Sequence, residues 1–404
     1  MDWSGSDPRY AGSLRSALTA RLIDQGALRS GPIVAAFRTV PRHVFVPNVP
    51  PEVAYTDDVV LMKSDPTGAA ISTVSQPAVV AMMLEQAAIE PGDRVLEIGS
   101  GGYNAALMSE LAGLDGSVTT LDIDPEVTER ARRTLTEAGY SRVRVVRADG
   151  EFGCPESAPY DLILITVTAG DIAPAWFDQL SAAGRLVVPL RLRGQTRSIA
   201  FDKNGDHLTG RSDVLCGFVS MQGAGANYER VLRLYEDKVV LRADEDQPID
   251  IEPLEGVLLK PQTVEWSGIL LDRNETFSNL DLWLACNFPE YCVLSVKRSA
   301  VKSGLVGPAL RWGGSAVVED ETLGYLSSRP GPAKHLVELG ARAHGPTAPA
   351  LAANLVAQVR AWDKDYGHGR GPTFTAHPRS TPADELPIGT HITTRHTQLT
   401  ISWP

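Results

Sequence analysis

The stretch RVLEIGSGGYNAAL (residues 94–107) reads as an apolar strand, a turn carrying Gly99, Ser100, Gly101 and Gly102, and then a helix. Glycines there allow positive backbone angles and remove side chains that would block a ligand. Backbone N–H groups at the helix start can hold a carboxylate or phosphate. Asp122 ends the next strand, roughly twenty residues further on, where a carboxylate in an open α/β sheet lies beside a cofactor ribose. Asp149 and Gly150 end a third strand, placed to accept from an adenine amino group. Each signal has a plainer alternative: glycine turns also close structural βα units, Asp122 can be a solvated turn residue, and Asp-Gly is a common turn. Asp124 suits the cap before Pro125 better than Asp122 does. Three successive strand ends presenting Gly, Asp and Asp to one crevice is more specific than any one alone. The spacing is not G-x-G-x-x-G, which disfavours a nicotinamide dinucleotide.

Just upstream, ISTVSQPAVVAMMLEQA (residues 71–87) places Thr73, Val74 and Ser75 before a helix that starts at Pro77. Ser75 can either face the ligand of the glycine turn or simply cap that helix. His43 has no second ligand at metal spacing, and Tyr55, Asp57 and Asp58 read as loop residues. Cys154, Cys216, Cys286 and Cys292 are scattered without a Cys-x-x-Cys pair, so neither a zinc site nor a disulfide framework is expected, and no metal is assigned. Trp266, Trp283, Trp312 and Trp362 read as core or interface aromatics.

These residues need a scaffold, and the hydrophobic periodicity supplies one. Helices are expected over residues 13–25, 32–39 and 77–88, with 41–70 largely loop because Pro and Asp crowd it. From residue 94 short apolar strands alternate with helices: strands at 94–99, 117–124, 143–149, 160–166 and 184–190, helices at 104–112, 125–138 and 173–181. That alternation implies a parallel sheet covered on both faces. Residues 192–206 read as a hairpin with Asn204-Gly205 as its turn. Beyond residue 212 the alternation stops. CGFVSMQGAGA (216–226) is glycine-rich and irregular, 348–362 is a helix and HTQLTISW (396–403) a closing strand. The expected fold class is therefore α/β, with a catalytic domain over 1–211 and a C-terminal α+β domain over 212–404.

With 404 residues the chain is too long for one ordinary domain. Its 43% hydrophobic and 22% charged content is that of a soluble globular protein. A net charge of -11 argues against general affinity for nucleic acid or anionic membranes. No signal peptide or apolar run of spanning length is read, so a cytoplasmic location is expected.

Residues 14–190 resemble the protein-L-isoaspartate O-methyltransferases. The matching signs come in family order: PRHVFVP (41–47), AYTDD (54–58), TVSQP (73–77), VLEIG with GYNAA, TTLD, ADG, and APYDLILIT. The resemblance implies a Rossmann-like methyltransferase sheet with helices on both faces and S-adenosylmethionine as cofactor. It implies that Thr73, Val74 and Ser75 line the cofactor pocket, with Ser75 the active-site serine. Gly99, Ser100 and Gly101 would lie along the cofactor, Asp122 would hold its ribose, and Asp149 with Gly150 its adenine end. Two departures stand out. The family turn reads Gly-Thr-Gly-Ser-Gly-Tyr, whereas Gly99–Tyr103 is one residue shorter, and the chain extends well past residue 212. Both, with the ending ISWP, resemble the family's peptide-tailoring branch, found with lanthipeptide and related ribosomal peptide pathways and notably the FxLD system.

That likeness implies methylation of an aspartate carboxylate in a macrocyclised precursor peptide, leading through a succinimide to aspartimide or isoaspartate. The alternative is general isoaspartyl repair of damaged proteins with an added domain. A degenerate, non-enzymatic peptide-binding module is a third reading. The oligomeric state is not read from the sequence.

Overall fold

The computed structural model describes residues 8–245, 247–276, 278–366 and 371–404. The first seven residues, part of the stretch read for a targeting segment, lie outside this description.

Five parallel strands form one half of a ten-stranded sheet: Arg144–Arg147 at its edge, then Ser117–Asp122, Arg94–Ile98, Tyr160–Ile165 and Leu180–Leu192, in that spatial order. Successive residues alternate between two cores. Val95, Leu162, Leu164 and Val187 pack under helices Pro8–Asp24, Gly31–Thr39, Pro77–Ala87 and Tyr103–Ala112. Leu96, Ile98, Ile163, Ile165, Leu186 and Val188 face the opposite way, against Trp176 of helix Pro174–Gln179 and Leu282 of helix Ser278–Asn287. A parallel sheet needs apolar residues at every position because both faces are covered. The strands LILI and VLEI meet that demand, apart from Glu97.

The sheet continues antiparallel through Gln195–Asn204 and His207–Leu215; their turn is Gly205-Asp206, one residue past the expected Asn204-Gly205, and the hairpin expected over 192–206 is largely the single strand Gln195–Asn204. It then takes in Thr373–Pro378, Thr397–Ser402 and Thr390–Thr393 from the far end of the chain. The division expected after residue 211 thus falls inside a strand, and the last thirty or so residues return to the first sheet. An exposed edge at His207–Leu215 would present unpaired backbone groups, and Thr373–Pro378 covers it.

Between these lies a seven-stranded antiparallel sheet in the order Glu229–Tyr235, Val239–Asp244, Tyr291–Val296, Gly313–Glu319, Thr322–Pro330, Leu336–His344 and Gln262–Asp272. Helix Ala348–Asp365 lays Leu351, Leu355, Val359 and Trp362 on one of its faces. Leu254, Val257, Ala300 and Val306 cover the other. Another expectation needs correction: Trp312 is not a core residue but 67% exposed. Residues 41–70 are largely loop, as expected, but also hold the 3-10 turn Arg42–Phe45, helix Pro51–Ala54, and strand Val60–Ser64 paired with Ala70–Val74. The turn of that hairpin is tied by Asp65, whose carboxylate accepts from the Thr67 and Ala69 N–H groups. Its polar residues, which suggested a loop, are what close the hairpin.

Candidate active site

At the C-terminal ends of the parallel strands lies a cavity of about 630 Å3. Seven of the expected residues line it together: Thr73, Val74, Ser75, Gly99, Ser100, Gly101 and Asp122. The turn comes close to the sheet for a physical reason. Gly99 has φ +101°, and a Cβ there would sit 2.5 Å from Thr166 Oγ1. Gly102 starts helix Tyr103–Ala112 at φ +80°, with Phe45 and Thr134 against its Cα. Any L side chain at either position would be strained, and one at Gly99 would also clash.

Asp122 accepts from the Ser100 N–H at 3.1 Å and the Asp124 N–H at 2.9 Å. Burial pushes its carboxyl up, opposed by those two backbone bonds. The helix Pro125–Glu137 is capped by Asp124, which accepts from the Glu126 N–H, so Asp122 is not the cap. Ser75 is not a cap either: helix Pro77–Ala87 has Gln76 at its N-cap without a side-chain bond, and Asp57 accepts from Ala78 N–H instead.

Asp149 and Gly150 are not in this lining. The Asp149 carboxylate accepts from the Glu151 N–H at 3.0 Å and the Ala224 N–H at 2.8 Å. A Cβ on Gly150 would strike Ile98 Cγ2 and Met221 Cε, so its missing side chain makes room for packing. The segment responsible, 216–227, looked irregular in sequence. It is anchored through Met221 in the core, with Thr168 and Val219 joined by a backbone bond.

That segment also contributes Phe218 and Val219 to the cavity, and sequence reasoning did not single them out. Glu97, another residue missed, is fully buried in the central strand and lines the cavity. Asn104 Nδ2 and Thr120 Oγ1 donate to its carboxylate. Burial pushes the Glu97 carboxyl up to about 7. The signal was legible, because an acidic residue inside VLEIG is costly to bury without a task. Ser100 Oγ, also buried in the lining, has no hydrogen-bond partner among the described residues.

A second cleft, about 1040 Å3, opens on the outer side and is lined by Asp58, Val59, Gln76, Val79, Gly217 and Ser220. Thr73, Ser75, Phe218 and Val219 line both spaces. Ser75 therefore borders both spaces.

A model of the protein-L-isoaspartate(D-aspartate) O-methyltransferase family matches residues 13–225, more than half of the chain. The chain belongs to this family. Among its relatives is the protein-L-isoaspartate O-methyltransferase of Methanococcoides burtonii, 42% identical over 45% of this chain and 83% of the relative. That of Methanopyrus kandleri is 38% identical over 52% of this chain and 91% of the relative. A solved protein-L-isoaspartate O-methyltransferase shares the fold at 24% identity and a TM-score of 0.50, covering 89% of this chain and 96% of its own. The likeness in fold therefore reaches past the family region, so the added length alone does not set this chain apart from its relatives.

The protein is an S-adenosylmethionine-dependent carboxyl methyltransferase, and the cavity suits that cofactor. Its lining offers the unpartnered Ser100 Oγ, the Asp122 carboxylate for vicinal hydroxyls, and the Glu97 carboxylate for an ammonium. Among the described residues no helix is long and apolar enough to cross a membrane.

Proposed function

We propose that this chain methylates the carboxylate of an isoaspartyl residue carried on a peptide or protein. The observation that carries this reading is the position of Ser75, which lines both the cavity and the neighbouring cleft. A cofactor in the cavity and a polypeptide in the cleft would meet at that residue. The cofactor supplies an activated methyl group. Thr73, Val74, Gly99, Ser100 and Gly101 would hold it, with Asp122 at the ribose. Asp149 would reach the adenine edge with the lone pairs left free by its two backbone bonds.

A carboxylate is already ionised at neutral pH and needs no general base to attack. Neither lining includes a histidine to activate a serine. Ser75 therefore orients the carboxylate, and rate comes mainly from positioning. The methyl ester carbonyl is a better electrophile than the carboxylate, so the following backbone amide nitrogen attacks it, the C–OCH3 bond breaks, and methoxide departs as methanol with the amide proton, leaving a succinimide. Hydrolysis of that ring gives aspartate or isoaspartate.

A second reading has a specific observation behind it. A cleft of about 1600 Å3 between the two sheets is lined by Arg193, Arg379, His391, Asn227 and the strand-end residues Thr393 and Thr394. Together with the shortened glycine turn, it favours an ordinary aspartate in a macrocyclised, lanthipeptide-like precursor as substrate. The same chemistry there would install aspartimide or isoaspartate.

Mass spectrometry with S-adenosylmethionine and two peptides separates these. Gain of a methyl group and then loss of methanol on a generic isoaspartyl peptide supports the first reading. The same change on a macrocyclised aspartyl precursor alone replaces it with the second. Ser75→Ala should lower turnover on the accepted peptide by about 100-fold while cofactor affinity holds; unchanged turnover rejects the role of Ser75.

A further inference from the structure

Arg42, in the motif PRHVFVP, is fully buried, and its guanidinium meets no carboxylate in any hydrogen bond given by the described residues. Its Nε donates to the Ala54 carbonyl at 2.9 Å. Its Nη2 reaches the Ser75 carbonyl at 2.9 Å and those of Val74 and Asp58 at 3.4 Å. Nη1 is buried without a hydrogen-bond partner among the described residues. The guanidinium carbon lies 4.9 Å from the ring centroid of Tyr103, the first residue of the helix that follows the glycine turn and part of the cavity lining. Asp57, the acidic group it senses, is engaged at the start of helix Pro77–Ala87.

One side chain thus ties the Val74–Ser75 main chain to the element that shapes the cofactor turn. Burying an unpaired cation is costly, and burial pushes the Arg42 guanidinium downward. Four carbonyl dipoles and an aromatic face offset part of that cost. What remains is a positive potential beside the residue where a substrate carboxylate arrives.

We infer that Arg42 is a positioning residue for methyl transfer, fixing Ser75 through its carbonyl and favouring the bound carboxylate by charge. The inference rests on the proposed carboxylate substrate. The two contributions have separate signatures. Esterification removes the negative charge of the carboxylate, so a nearby cation favours the bound substrate more than the transition state and acts on KM. Holding the Ser75 main chain in place acts on kcat.

The test compares Arg42→Lys and Arg42→Gln with the wild-type protein on the isoaspartyl and aspartyl peptides, with cofactor affinity measured by calorimetry. Arg42→Lys keeps the charge but loses the planar fork, so kcat should fall about tenfold with KM little changed. Arg42→Gln loses both, so KM should also rise by about tenfold. Cofactor affinity should stay within about threefold in each. Variants with wild-type kcat and KM overturn the inference. So does parallel loss of cofactor binding and turnover in both, or failure of both to fold, since each outcome makes Arg42 a structural support only. A wild-type protein inactive on both peptides overturns the proposed function, and this inference with it.

Discussion

Around Gly99 and Asp122 the walls are strand ends of a parallel sheet, and a buried polar group there is left unused. Ser100 Oγ has no hydrogen-bond partner among the described residues, and Glu97 carries a carboxyl pushed up to about 7. In the cleft between the sheets the charges are many and already answer one another. Arg191 pairs with Asp244 and Glu229, and Arg395 pairs with Glu151 beside His396. Unsatisfied buried groups mark a place that a small ligand completes. A self-satisfied, wide and charged cleft gains little from a small ligand and suits an extended polypeptide, which makes many modest contacts. One chain therefore carries two unlike spaces, a small cavity with an unused buried hydroxyl and a wide charged cleft.

If the two regions were independent, each could be removed without harm to the other. Deleting residues 216–404 tests this most severely. It strips Phe218 and Val219 from the cavity and uncovers the edge strand His207–Leu215. Calorimetry should then show cofactor affinity lowered by about 100-fold or more, or circular dichroism should show no cooperative unfolding. A truncated protein that binds the cofactor normally would establish two separable halves.

Within the chamber, Asp122→Ala should weaken cofactor binding by about 10-fold to 100-fold, the worth of about 1.5–3 kcal/mol for hydrogen bonds to a charged group. Unaltered affinity would remove Asp122 from the ribose. Glu97 sharpens the same point through pH. It is protonated below about 7 and ionised above, and only the ionised form attracts a cationic cofactor. Affinity should therefore fall as pH drops through that value, by at most about tenfold per unit, with a proton released on binding. Glu97→Gln should flatten the profile; a variant that keeps the slope would place the titration elsewhere. The smallest effect belongs to the charged cleft. Arg395→Ala removes a half-exposed partner of Glu151, costing about 0–1 kcal/mol in stability. Thermal unfolding should shift by a few degrees at most, with cofactor affinity unchanged. A large loss of affinity would show that the C-terminal strands act on the cofactor chamber.

Much of the chamber was legible because its signals are local. The strand, turn and helix of residues 94–107, and Asp122 at the end of the next strand, follow from periodicity and turn chemistry within short windows. Residues 41–70 were harder, since Pro and Asp there signal loops while Asp65 closes a hairpin. Arg42 could be named as part of a motif, but four carbonyls from residues 54, 58, 74 and 75 converge on it only after folding.

The sequence alone determined the α/β class, the parallel strand core and the glycine turn, because those features depend on side-chain period and on glycine where other residues clash. Tertiary structure decided what covers them. The segment 216–227 lies over Asp149, and residues 373–402 extend the first sheet rather than the second. Edge strands accept any partner of compatible register, and contacts more than 150 residues apart leave no periodic trace in either strand. Which partner closes an edge is settled by the packing of the whole chain.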